Sequence, residues 1–380
     1  MSNARVYLDF NASAPLRPET RAAVAAALEL CGNPSSVHAE GRTARRIIEA
    51  AREQVATLVG AEPRNVVFTS GGTEANMLAL SPALGDRLLI SGIEHPSVLS
   101  GGRFAPEYIE KIPANANGTV DLTALRNALG KGGRPLVSLM LANNETGVIQ
   151  PVCEATRLVH DAGSLLHVDA IQAAGRISCD INALETDFLT VSGHKIGAPK
   201  GVGALIARSE SVRPDPLVQG GGQERGARGG TENVAGIAGF GAAAAAAKQE
   251  LAEAGARMAV LQAQLEAGLR ATSPDVIIFG AESPRLPNTT LFSVPGLKAE
   301  TAVIAFDLEG VAVSSGAACS SGKVQPSHVL AAMGVPPDLA RGAVRVSLGP
   351  STTESEINRF LEAWNKVSRA LLNRPQGIAA

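Results

Sequence analysis

Aromatic residues make up only 3% of the 380-residue chain, with one tryptophan and two tyrosines. A core of ordinary size must therefore be assembled mostly from Ala, Val, Leu and Ile. Cysteine is scarce as well. The four, Cys31, Cys153, Cys179 and Cys319, are widely scattered and form no Cys-x-x-Cys pair. The chain also has no His-Glu-x-x-His, so no metal site is expected within it. Charge of one sign is missing: 34 Lys and Arg face 36 Asp and Glu, for a net charge of −2. That balance gives no electrostatic case for nucleic acid or for an anionic membrane. No apolar run approaches a membrane span, since the Ala-rich stretch 241–247 is followed at once by Lys248 and Glu250. The first ten residues hold no signal-peptide-like apolar stretch. The expectation is a cytoplasmic protein with reduced thiols.

What is present points to an α/β enzyme. A hydrophobic content of 45% with 18% charge is ordinary for a globular protein, and 380 residues can fill two or three domain-sized units. Short apolar runs at 65–69, 87–91, 136–142, 165–169, 188–192 and 202–207 predict strands. Helical patterns at 41–58, 73–80 and 153–162 precede or separate them. This alternation predicts a doubly wound, mostly parallel sheet with helices on both faces. From 234 to 271 the pattern predicts a long helix joining two domains, broken near Gly255. Runs at 276–279, 288–294, 311–314 and 343–347 then predict a smaller α+β domain.

Lys195 lies in Ser192-Gly193-His194-Lys195, after the apolar run 188–191 and before Gly197-Ala198-Pro199-Lys200-Gly201. Asp169 ends the apolar run 165–168. A lysine and an aspartate at the C-terminal ends of two buried strands are what a pyridoxal phosphate enzyme needs. The lysine holds the cofactor as a Schiff base, and the carboxylate keeps the pyridine nitrogen protonated. A lone lysine is ordinarily a solvated surface charge; the pairing with Asp169 and the flanking glycines reverse that reading.

Other motifs are weaker alone. Ser70-Gly71-Gly72-Thr73-Glu74 follows a strand and opens a helix, which suits a phosphate or a plain turn with Thr73 as N-cap. His95, in Glu94-His95-Pro96, can stack on a flat cofactor and shuttle protons, or stand as a surface histidine. Asn143-Asn144-Glu145-Thr146-Gly147 offers amides to a phenolic oxygen or a carboxylate, or forms an Asx turn. In Gly220–Thr231 two arginines and a terminal threonine suit an anion; the alternative is a surface loop. Small residues surround Cys319 in the stretch 314–323, which predicts an exposed, nucleophilic thiol. Cys31, Cys153 and Cys179 lack such a setting and read as structural. His38, His160, His167 and His328 belong to no constellation.

Taken in order, these segments resemble the cysteine desulfurases, class V aminotransferase-type enzymes of pyridoxal phosphate fold type I. The resemblance runs from Tyr7-Leu8-Asp9 to Arg345-Val346-Ser347-Leu348-Gly349 and includes Gly32–Ser36, Phe68–Asn76 and His167–Gln172. It implies a large cofactor-binding domain at 14–252, and a small domain at 1–13 and 253–380 that carries the cysteine loop. Lys195 would bond the cofactor and move the Cα proton. Asp169 would pair with the ring nitrogen, Gln172 with the ring oxygen, and His95 would stack and act as acid or base. Gly72, Thr73, Ser192 and His194 would hold the phosphate, with Thr231 reaching in from the second subunit of a homodimer. Arg345 and Asn144 would bind the carboxylate of L-cysteine, and Cys319 would take its sulfur as a persulfide. The long Cys319 loop resembles the nitrogen-fixation and iron–sulfur branch, which implies a sulfur-acceptor protein such as an iron–sulfur scaffold. A selenocysteine lyase, an aminotransferase of the same fold, or a non-catalytic sulfur-transfer subunit are the alternatives.

Overall fold

The computed structural model describes residues 5–213, 215–316 and 327–372, together with the backbone of 319–320 and 323–324. Its centre is a seven-stranded sheet. In spatial order the strands are Val66–Thr69, Gly203–Ala207, Phe188–Ser192, Leu165–Asp169, Leu136–Met140, Leu88–Ser91 and Ile109–Ile112. Gly203–Ala207 runs antiparallel to both its neighbours and all other pairs are parallel. Leu88–Ser91, Leu136–Met140 and Phe188–Ser192 are buried at every position. Burial on both faces is why such strands read as unbroken apolar runs rather than as alternation. The sequence pattern did not reveal Ile109–Ile112. It is an edge strand whose Glu110 and Lys111 face partly outward, as edge strands commonly do.

Parallel pairing lines up the strand ends. Met140 pairs with Asp169, and Asp169 with Thr190. The residues following three neighbouring strands therefore converge at one edge of the sheet, which is where open α/β sheets bind ligands.

The helix Val234–Thr272 is continuous over 39 residues, so the break expected near Gly255 does not occur. One glycine costs a helix about 1 kcal/mol relative to alanine, too little to interrupt one packed along its whole length. Phe240, Ala243, Ala244 and Ala247 join the core of the large sheet. Ala254, Met258, Leu261, Leu265 and Leu269 join a second core. At 1.5 Å per residue the helix extends about 58 Å, long enough to serve both.

The second core lies on a four-stranded antiparallel sheet, Ser314–Ser315, Val344–Ser347, Thr289–Ser293 and Ile277–Ile278. The scarce aromatics concentrate there. Phe306 stacks on Phe360 with centroids 5.1 Å apart, and Phe292 meets Trp364 edge-on at 5.2 Å. The run expected at 311–314 splits in two: Val311–Ala312 pairs with Val6–Tyr7, and Ser314–Ser315 joins the four-stranded sheet. Asp9 then bridges Ser347, so the chain passes from the small sheet into the edge of the large one through residues 10–14. The backbone at Cys319–Ser320 pairs antiparallel with Lys323–Val324.

Candidate active site

At the converging strand ends lies a cavity of about 230 Å³. Its walls include Gly72, Thr73, His95, Asn144, Asp169, Gln172, Ser192, His194 and Lys195. These nine residues come from five segments of sequence. Their side chains occupy one space because each follows, or opens from, the C-terminal end of a strand of the large sheet.

Asp169 is buried. Its Oδ1 accepts from the backbone N–H of Ile171 at 2.9 Å and its Oδ2 from Asn76 Nδ2 at 2.8 Å. Burial raises its proton affinity, and those hydrogen bonds, with His95 and Lys195 nearby, only partly offset this. It forms no ion pair among the described residues. A buried carboxylate in that condition is suited to a cationic partner.

Lys195 sits in the short helical turn after Phe188–Ser192. Its Nζ donates to the carbonyls of Asn11 at 2.5 Å and Ala12 at 3.0 Å. Desolvation, then the positive charges of Arg345 and Arg176, lower its pKa to about 7. A large fraction of the amine is thus unprotonated and nucleophilic near neutrality.

Three buried polar atoms on the cavity wall lack a partner among the described residues: Ser192 Oγ, Gln172 Oε1 and Asn144 Oδ1. Gln172 spends one amide N–H on Asn11 O at 3.0 Å and keeps a second. Gly72 opens the helix Gly72–Ala79. A Cβ there would lie 2.3 Å from Ile171 Cδ1 and 3.3 Å from Ser192 Cβ. A side chain there would crowd Ile171 and Ser192, so glycine keeps the helix N-terminus open beside Ser192, and the two form a cradle for an anion. The turn's alternative reading fails: Thr73 lies inside the helix, and Gly71 takes the capping position. His194 is lowered to about 4, by desolvation first and then by Lys195, Lys200 and Arg176, so it is neutral at pH 7. The donor set fits pyridoxal phosphate: a lysine for the aldehyde, a carboxylate for the ring nitrogen, and an N–H and hydroxyl cradle for the phosphate.

Residues that the motifs did not single out hold this arrangement. Asn76 donates to Asp169 and to Ser97 Oγ, and accepts from Thr190 Oγ1 at 2.7 Å. The Ser97 N–H donates to His95 Nδ1 at 3.2 Å. A neutral ring whose Nδ1 accepts carries its proton on Nε2. Desolvation lowers the proton affinity of His95, which keeps it neutral. Asn11 supplies the carbonyl shared by Lys195 and Gln172.

Two expected site residues, Arg345 and Thr231, stand apart from the cavity. Arg345 is buried, donates to Asp9 Oδ1 and to the Asn144 carbonyl, both at 2.9 Å, and leaves Nε without a partner among the described residues. Thr231 is exposed. The side chain of Cys319 lies outside the described residues. The arginines of the Gly-rich run are not free for an anion: Arg228 pairs with Glu74, and Arg225 with Glu49. Nor is this run a simple surface loop, since Glu224 within it is buried against Arg52 at 2.7 Å. Of the cysteines read as structural only Cys179 is buried; Cys31 and Cys153 are exposed and pack in no core. His167 is fully buried against Ser138 and lowered to about 3 by desolvation, as suits a packing residue. No group of three His, Cys, Asp or Glu side chains among the described residues could hold a metal ion, and no described helix is long and apolar enough to cross a membrane.

Comparison with known proteins places this geometry. The model of the class-V aminotransferase family matches residues 6–360. A cysteine desulfurase of Cereibacter sphaeroides is 44% identical over 94% of each chain. The cysteine desulfurase IscS of Dictyoglomus turgidum is 40% identical over 96% of this chain and 95% of its own. Among solved structures, a NifS-like protein from Rickettsia africae superposes with a TM-score of 0.89 at 38% identity, over 96% of this chain and 99% of its own. The chain belongs to the class-V aminotransferase family, among its cysteine desulfurases.

Proposed function

We propose that this chain holds pyridoxal phosphate at Lys195 and takes sulfur from L-cysteine, leaving L-alanine, with Cys319 as the first sulfur acceptor. The observation that carries the reading is the pairing in one cavity of a lysine lowered to about 7 with a buried carboxylate that forms no ion pair among the described residues. When bound, pyridoxal phosphate supplies the electron sink that labilises the Cα–H bond of the substrate.

The chain's own residues do the rest. Gly72, Thr73, Ser192 and His194 would hold the phosphate, and Asp169 would keep the ring nitrogen protonated. The free N–H of Gln172 serves the ring oxygen. Lys195, with a large unprotonated fraction near neutrality, would take the Cα proton. His95, with its proton on Nε2, would stack on the bound cofactor and serve as acid or base. The amide N–H groups of Asn144 and the Arg345 Nε–H, which has no partner among the described residues, lie in the segments that would orient the substrate's carboxylate. The Cys319 thiolate attacks the substrate's sulfur: an S–S bond forms and the C–S bond breaks. The electron pair of that bond stays on carbon, which takes up a proton to become the methyl group of alanine. No external oxidant is required.

The reading extends to organisation. Residues 14–252 form a large domain, and 1–13 with 253–380 a small one; the second core draws its members only from the latter ranges, which supports the division. Thr231, exposed and outside its own chain's cavity, supports a homodimer in which it serves the partner's phosphate. Persulfide chemistry needs reduced thiols, which fits the cytoplasm, and the persulfide passes to an acceptor such as an iron–sulfur scaffold. Borohydride reduction followed by peptide mapping tests the assignment. Cofactor trapped on Lys195 supports it, and cofactor trapped on Lys200 or another lysine refutes it.

A further inference from the structure

A second cavity, of about 270 Å³, also has Lys195 in its wall, and Lys195 is the one residue its lining shares with the catalytic cavity. Phe10, Leu16, Met258 and Leu348 give it apolar walls, and Arg17 and Arg176 give it charge. The two arginines differ. Arg17 is neutralised by Glu250 at 2.6 Å. Arg176, 7% exposed, donates to the carbonyls of Gln172 at 2.5 Å and Phe10 at 3.4 Å, and forms no ion pair among the described residues. Desolvation lowers it to about 10, so it stays charged at pH 7. The neighbouring Cys179 thiol is pushed up by burial to about 12 and supplies no counter-charge. A buried cation without a counter-ion is costly, and this one borders open space.

We propose that this second cavity binds a small carboxylate. Its two oxygens take the remaining donors of the Arg176 guanidinium, and its short aliphatic portion lies on the apolar walls. The planar fork of an arginine matches a carboxylate better than a spherical ion, and mixed apolar walls are typical of small-ligand sites. Glu19 and Glu250, also in the lining, disfavour a second negative charge on the ligand. The site has a consequence for the catalytic lysine. The charge of Arg176 is among the causes that hold the Lys195 proton affinity down, so a carboxylate bound there raises it.

Propionate is the probe, titrated into the cofactor-loaded protein at constant ionic strength, with chloride as control. Two readouts are followed: the melting temperature, and the pH midpoint of the cofactor's visible band. The expected result is a saturable rise in both. Arg176→Met should weaken propionate by at least about tenfold, the loss of a charged hydrogen-bonded pair, while Arg176→Lys retains part of it. Arg345→Met should leave the response in place, which separates this cavity from the substrate's carboxylate site. If Arg176→Met fails to fold, Leu16→Trp, at a position 45% exposed, narrows the cavity without touching the guanidinium and should abolish the response. An equal response to chloride, no saturable response, survival of the response in Leu16→Trp, or its loss in Arg345→Met would each overturn the proposal. The band readout rests on Lys195 carrying the cofactor and the melting readout does not, so the two readings can fail separately.

Discussion

Replacing Lys195 by Met in the cofactor-free protein should change how stability depends on pH. The ammonium's pKa falls from 10.5 to about 7 on folding, chiefly through desolvation. At about 1.36 kcal/mol per unit the shift is worth about 5 kcal/mol. That is a ceiling, because part of the side chain reaches solvent. Below pH 7 both folded and unfolded chains hold the proton and the penalty is fully present. Between pH 7 and 10.5 the unfolded chain binds more protons than the folded one, so stability rises with pH by up to about 1.4 kcal/mol per unit. Lys195→Met lacks this contribution. It also leaves the Asn11 and Ala12 carbonyls without their donor, but that loss is an offset independent of pH. Urea unfolding of both proteins at pH 7, 8 and 9 isolates the slope. The wild type should gain on the variant by about 2 to 3 kcal/mol across that range. Parallel profiles would show that Lys195 is not desolvated, and would remove the basis for a neutral amine near pH 7.

Asn76→Ala should cost about 2 kcal/mol and weaken cofactor retention, because it strips a donor from buried Asp169 and partners from Ser97 and Thr190; equilibrium dialysis of the cofactor and urea midpoints check both effects. Glu224→Gln should cost about 3 kcal/mol in the same unfolding assay, since Arg52, 2% exposed, loses its main counter-charge. Glu145 is raised by burial from 4.5 to about 7, so the wild type loses stability as pH rises through that window, by up to about 3 kcal/mol. Glu145→Gln, whose amide oxygen can still accept from Ser327, should flatten that decline.

Lys195 and Asp169 were legible because strands buried on both faces appear as apolar runs, and the polar residue that ends such a run stands out. The helix from residue 234 was legible by its length, but the cost of Gly255 was overweighted against the packing along both cores. The edge strand Ile109–Ile112 is only four residues long and places two adjacent charges between two isoleucines, so neither an apolar run nor an alternation announces it. Asn76, Ser97 and Asn11 were not legible as site residues: Asn76 and Asn11 act on partners far away in sequence, Ser97 supports His95 two residues before it, and no local pattern marks a side chain or amide that supports another. The two arginines of the Gly-rich run misled for the same reason, since their carboxylate partners, Glu49 and Glu74, lie in other segments. Arg176 belongs to no motif, and only the cavity beside it makes its unpaired charge conspicuous.

The central claim is that sulfur leaves L-cysteine for Cys319. Its most direct test is one turnover of the cofactor-loaded protein with L-cysteine, without an acceptor, followed by mass analysis of the peptide containing Cys319 beside a count of alanine. One added sulfur atom on Cys319 is expected for each alanine released, and neither product from Cys319→Ser. Stoichiometric alanine from Cys319→Ser, or added sulfur found on Cys31 or Cys153 instead, would contradict it.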